Sequence, residues 1–143
     1  MNLIGPYFRH GETSPCIGEL GARKLIRGTW VTGTHAGLTE QEYEDNAYSI
    51  LTSTDRVEVI LVDDFKPVGA VAYSSVLDIH YGKVAAPITV TLLPEYIGNR
   101  EAARLVSLAI KEAVKALGCI KYYTVQHIKP GVAVHRLKEV NHG

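Results

Sequence analysis

Two places in this sequence carry groups that could do chemistry. The stretch Leu92-Leu93-Pro94-Glu95-Tyr96-Ile97-Gly98-Asn99-Arg100-Glu101-Ala102-Ala103 runs from an apolar, strand-like segment through a turn into a helix. A helix start presents unpaired backbone N–H groups and about half a positive charge, which suits a phosphate or pyrophosphate. Gly98 can take a positive φ and admit a ligand closely, and the guanidinium of Arg100 or Arg104 can pair with a phosphate. Glu101 acts the other way, because a carboxylate in the first turn competes for the same positive end. The same residues serve equally as a plain turn with Asn99 as N-cap. The second place is His127, in the extended run Tyr122 to Ile128. Histidine ordinarily titrates near neutral pH, so His127 is a candidate general base, with Asp78 and His80 near the end of a long β segment as the others. A histidine merely hydrogen-bonded at a strand end is the plain alternative.

Other patterns carry less chemistry. Asp63-Asp64 sits at a turn with no third ligand nearby in sequence and reads as a solvated turn rather than a metal pair. The six histidines show no repeated His-x-x-x-His spacing, so no metal site is expected. Cys16 has no local histidine partner. Cys119 follows a helix C-terminus, where the dipole raises a thiol pKa, so neither cysteine is a good nucleophile. Both are expected as reduced structural thiols, with a bridge between them left open. Fifteen basic and fifteen acidic residues give no net charge, so binding to nucleic acid or an anionic membrane surface is not favoured. With 143 residues, 46% of them hydrophobic, the chain is expected to bury one core as one domain, residues 1–143. No stretch approaches a membrane span and the start has no leader pattern, so the expectation is a cytoplasmic protein.

The elements that must position these groups follow from periodicity. A first strand is expected over Asn2 to Arg9 and a glycine-weakened helix over Cys16 to Ile26, followed by a loop from Gly28 to Gly37 around Trp30. Thr39-Glu40-Gln41-Glu42 is a capping box opening a helix to about Ser53. Arg56 to Asp63 and Val68 to Ile79 read as a hairpin, and Ala86 to Leu93 as the next strand. From Asn99 to Leu117, apolar residues fall at 102, 105, 106, 109, 110, 113, 114 and 117, the stripe of a long amphipathic helix that Gly118 would end. A strand over Tyr122 to Ile128, a Lys129-Pro130-Gly131 turn and a short final helix over Val132 to Val140 complete the reading. The order predicts an α/β fold whose mixed, mostly antiparallel sheet is flanked by helices, with one right-handed crossover through the long helix.

This order resembles the GNAT family of acetyl-CoA-dependent N-acetyltransferases, over nearly the whole chain in topology and over Ala86 to Gly118 in sequence. The family signature at the mouth of the long helix is Arg or Gln, two residues, Gly, one residue, then Gly or Ala. Here those positions hold Ile97, Arg100 and Ala102, so only the last matches. The resemblance implies acetyl-CoA as co-substrate, held by Leu92, Leu93, Gly98, Asn99, Arg100, Glu101, Ala102 and Ala103, and transfer of its acetyl group to the amine of a small molecule or protein. It also implies that the strand of Leu92 splays from the next one, its free backbone groups pairing with the pantetheine arm, although Pro94 also suits an ordinary strand end.

By the same resemblance the strand of His127 lines the cleft opposite the cofactor, which favours His127 as catalytic base. The family's leaving-group acid is a tyrosine on the last helix. Aligning Ala133 with a small residue that precedes it puts Leu137 at that position. Tyr122 or Tyr123 could substitute, at most one of them facing the cleft, and packing is the plainer role for both. The likeness is strongest to short, divergent members encoded by tailed bacteriophages. A second reading is therefore a non-catalytic GNAT-fold phage component or host-factor binder. In it, two absent final strands leave an open sheet edge, which also leaves a homodimer through that edge open.

Overall fold

The computed structural model describes residues 1–30 and 37–140. Most of the expected loop from Gly28 to Gly37 (residues 31–36) and residues 141–143 lie outside the described residues. The elements in chain order are β1 (Asn2–His10), α1 (Gly18–Gly28), α2 (Glu40–Ser53), β2 (Asp55–Asp63), β3 (Lys66–Asp78), β4 (Gly82–Leu92), a single 3-10 turn (Pro94–Tyr96), α3 (Arg100–Ala116), β5 (Lys121–Lys129) and β6 (Val132–Glu139). The six strands form one sheet in sequence order, every neighbouring pair antiparallel except β4 and β5.

Alternation along β2 decides which layer lies on which face. Val57 and Val59 meet Val71, Tyr73 and Ala85, together with Ala109, Ala113 and Val114 of α3, in the main core. Arg56, Glu58 and Ile60 point to the other face, under α1 and α2. α2 starts as its capping box requires. The Thr39 side chain accepts from the Glu42 N–H at 3.1 Å and the Glu42 carboxylate accepts from the Thr39 N–H at 3.0 Å. Ion pairs of Arg23 with Glu44 and Asp45, and of Arg27 with Glu40 and Glu44, hold α1 to α2. α1 ends against the strand-end residue Leu93: a Cβ on Gly28 would lie 2.6 Å from Leu93 Cδ2, so any larger residue there would push the Leu93 side chain aside. No helix among the described residues is long and apolar enough to cross a membrane.

The expected final helix is a strand instead. Val132–Glu139 pairs antiparallel with β5 from Lys121↔Glu139 to Lys129↔Val132, closing the two-residue Pro130-Gly131 loop. Valines at 132 and 134 suit a pleated surface. The unpaired edge of β5 offered a full hydrogen-bond ladder, which outweighs the weak helical spacing of Ala133, Leu137 and Val140. Residues 132–139 thus extend the sheet by one strand beyond β5.

Candidate active site

The feature that organises the site is a fork between β4 and β5. Their parallel pairing consists of Ala85↔Tyr122. Beyond it the strands separate, and β4 bulges at Ile88, because Ala72 pairs with Thr89 while the adjacent Tyr73 pairs with Pro87. Tyr73 is wedged at the base of the fork. It is fully buried, its hydroxyl donates to the Tyr123 carbonyl at 2.8 Å, and its ring stands edge-on to Tyr122 at 6.5 Å. Burial raises its phenol pKa, so it stays a donor and a structural pin.

Two cavities meet at the open part of the fork. On the α3 side a cavity of about 310 Å³ is lined by Ala103, Val106, Ser107 and Ile110 of α3, by Val90, Thr91 and Leu92 of β4, and by Tyr122, Thr124 and Lys138. The helical residues fall at i, i+3, i+4 and i+7, one face of α3. On the other side lies a cavity of about 800 Å³ between α1, α2 and the sheet, which reaches β4 at Pro87 to Leu92 and the β5–β6 hairpin at Val125, His127, Ala133 and His135. Val90, Thr91 and Leu92 line both. A group held at this strip is reachable from both faces of the sheet.

The start of α3 lies beside the smaller cavity. Asn99 caps it, its side chain accepting from the Ala102 N–H at 3.0 Å, while its carbonyl accepts from Ala103 N–H at 3.0 Å. The N–H groups of Gly98, Arg100 and Glu101 have no partner among the described residues. Gly98 sits at φ +91° with open space where a Cβ would be, so the amides behind it are approachable. The Glu101 carboxylate faces the Met1 ammonium at 3.7 Å, which offsets its competition for the helix end. Arg100 and Arg104 are exposed, Ala102 is wholly buried in the core, and Ala103 is at the cavity wall. The residues present therefore suit an anion at the helix start with an apolar chain running into the cavity. Asn99→Ala is expected to lower stability by about 1 kcal/mol, read by urea denaturation, since it leaves the Ala102 N–H uncapped.

Leu93 has a structural role as well. Its N–H donates to the Val68 carbonyl at 2.8 Å, its carbonyl accepts from the Tyr96 N–H at 2.9 Å, and its side chain is buried. Tyr96 in turn donates its hydroxyl to Asp63 at 2.7 Å, which anchors the turn and raises the phenol pKa. Asp63 is thus a tether for the segment leading to α3.

Of the candidate bases, His127 lines the larger cavity on the face it shares with its diagonal neighbour His135. Asp78 and His80 line neither cavity. Asp78 accepts from the N–H groups of His80 and Tyr81 at 2.8 and 3.1 Å and from the Tyr123 hydroxyl at 2.8 Å, which holds its carboxyl below the usual range and pushes the Tyr123 phenol up. Tyr122 faces the smaller cavity and Tyr123 the opposite face. Both cysteines are free. Burial in the core raises the Cys119 thiol, and Cys16, though exposed, is raised by partial desolvation and by the nearby Glu58 carboxylate, so neither is activated.

No protein-family profile matches the chain, and no curated protein sequence does. Solved structures do match. The PaiA N-acetyltransferase of Thermoplasma acidophilum, in complex with coenzyme A, superposes with a TM-score of 0.61 over 92% of this chain and 83% of its own, at 15% identity. The aminoglycoside 6′-N-acetyltransferase AAC(6′)-IG of Acinetobacter haemolyticus gives 0.53 over 85% and 77%, also at 15% identity. AAC(6′)-Iy, bound to the bisubstrate analogue CoA-S-monomethyl-acetylneamine, gives 0.51 over 83% and 76%, at 17% identity. This chain has the GNAT fold.

Within the GNAT fold the hairpin end has consequences for the site. Leu137, aligned by sequence with the family's helical tyrosine, lies on β6 opposite Tyr123, so that alignment does not hold. The same change brings His135 and Lys138 to the two cavities, residues that a helix over 132–140 had concealed. Ser107 was also missed: its helical position is legible, but that its face of α3 borders a fork depends on where β4 and β5 separate. Ser107→Trp would fill much of the smaller cavity from an exposed helix position. It is expected to weaken coenzyme A binding roughly tenfold or more while leaving the melting temperature nearly unchanged, read by calorimetry and thermal denaturation.

Proposed function

We propose that this chain is an acetyl-CoA-dependent N-acetyltransferase. The observation that carries the reading is the strip Val90 to Leu92, which is open to one cavity beside a helix start and to a second cavity on the other face of the sheet. Acetyl-CoA is the co-substrate. Its pyrophosphate would lie at the turn of Gly98 and Asn99, on the free amides of Gly98, Arg100 and Glu101 with the Arg100 and Arg104 side chains close by, and its pantetheine would pass Ala103 to Leu92, with Leu93 fixing the strand end; Ala102, wholly buried with its N–H capped by Asn99, would not touch the cofactor. Lys138 adds a cation at the same cavity.

The thioester carbonyl then sits at the fork. Backbone N–H groups of β4 turned away from β3 are suited to polarise it, and the acceptor amine approaches from the larger cavity. His127 takes the proton from the ammonium or from the tetrahedral adduct. The amine nitrogen bonds to the acetyl carbon as the carbon–sulfur bond breaks, and coenzyme A leaves as the thiolate or thiol. Fixing both reactants on opposite faces of one strand supplies the proximity that the step needs.

A thiol-release assay with acetyl-CoA and an amine panel tests the reading. Amine-dependent release with an acetylated amine in the mass spectrum is the expected result. The absence of release for every amine, with acetyl-CoA unbound, would overturn it.

A further inference from the structure

The larger cavity has a charge pattern that selects its ligand. Its one acidic lining residue among the described residues is Glu58, and that carboxylate is already committed. Oε1 accepts from Ser14 Oγ at 2.7 Å and from Arg56 Nη2 at 2.8 Å, and Oε2 faces Arg9 Nε at 3.4 Å. Arg56 is equally occupied, donating to the Glu12 carbonyl at 2.7 Å and to the carbonyls of Leu51 and Thr54. The carboxylates of α1 and α2 do not line the cavity: Glu19, Glu40, Glu44 and Asp45 pair with Arg23 or Arg27, and Glu42 accepts from the Thr39 N–H. Residues 31–36, Val-Thr-Gly-Thr-His-Ala, contribute no acidic side chain to the chain at all. The remaining wall is largely apolar, including Ile17, Leu25, Ile50, Ile60, Ile88 and Val125, and its polar part carries no acid: amide, hydroxyl and phenol groups such as Asn46, Thr89, Thr91, Tyr43 and Tyr48, and the imidazoles of His127 and His135.

From this we infer that the acceptor is a primary monoamine with an apolar, otherwise uncharged body, and that polycations are rejected. The inference rests on the transferase reading and adds the substrate class. A second ammonium entering this cavity meets no free carboxylate among the described residues and faces Arg56, so it would be desolvated without a partner. An alkyl or aryl body of the same length meets apolar walls and gains by burial. About 800 Å³ accommodates a body of drug-like size. The contrast is with AAC(6′)-IG above, whose name specifies aminoglycosides, which are polycations.

The test compares hexylamine with 1,6-diaminohexane, which share a chain and differ by one charge, alongside 2-phenylethylamine and kanamycin. Acetyl-CoA binding is measured first in the same samples. The expected kcat/KM for hexylamine exceeds that for the diamine by about 100-fold, the lower end of what an unpaired buried charge costs. Ala47→Asp, which places a carboxylate on the α2 wall, is expected to narrow that ratio by about tenfold or more. Equal or better use of the diamine or kanamycin, with acetyl-CoA bound, overturns the acceptor class and leaves the transferase reading standing. Loss of acetyl-CoA binding by the wild type overturns the transferase reading instead. With acetyl-CoA bound and no turnover of any amine, calorimetric affinities decide: hexylamine binding at least tenfold tighter than the diamine upholds the class, and a smaller difference overturns it.

Discussion

Glu58→Ala is expected to lower the unfolding free energy by about 3–5 kcal/mol, a large share of the 5–15 typical of a domain. The carboxylate is 3% exposed and joins three segments: Ser14 before α1, Arg56 on β2 and Arg9 on β1. Truncation leaves the Arg56 guanidinium, itself 3% exposed, with backbone carbonyls but no counter-charge. A buried ion that loses its partner costs more than the pair was worth, so the double change Arg56→Met with Glu58→Leu is expected to recover much of the loss. Urea denaturation of Glu58→Ala and of the double variant reads this directly. A Glu58→Ala penalty below about 1 kcal/mol would mean the cluster is already solvated.

His127→Ala is expected to lower kcat by a factor of about 10²–10⁴, the usual contribution of a positioned general base, with acetyl-CoA affinity unchanged. The unchanged affinity matters because His127 lines the larger cavity and not the one beside α3. His135→Ala is the internal control. It removes a diagonal neighbour on the same face whose ring packs edge-on to Tyr123 at 6.3 Å, and should cost less than tenfold if His127 is the base. A larger effect at His135 would move the base to β6, and equal small effects at both would leave proton removal to solvent. Either change lies on an exposed part of the hairpin, so thermal denaturation should show intact folds.

Local chemistry made much of the fold legible. Thr39 and Glu42 announce α2 because a capping box is a contact between residues three apart, and the α3 stripe announces its buried face for the same reason. The alternation of β2 gave its inward face. β6 was harder to read, because the weak helical spacing of Ala133, Leu137 and Val140 competes with the unpaired edge of β5, and that edge is visible only once the sheet is assembled. Reading Pro130-Gly131 as a hairpin turn between two β-branched runs, rather than as a stop before a helix, was the available signal.

The site divides the same way. The cap at Asn99 and the open backbone at Gly98 follow from local sequence. The fork does not, since it depends on a pairing that stops after Ala85↔Tyr122 and on the bulge at Ile88. The larger cavity is more distant still from any motif, because its walls come from residues between Thr13 and His135 and its charge pattern depends on which ions have already paired. Sequence spacing shows Glu58 as one alternate residue of a strand, and only the assembled structure shows its carboxylate committed to Ser14, Arg9 and Arg56.

Calorimetric titration of the wild-type chain with acetyl-CoA tests the central claim most directly. Saturable one-to-one binding is expected, with a melting temperature that rises with ligand concentration as mass action requires. Absence of both heat and stabilisation at millimolar acetyl-CoA would contradict it.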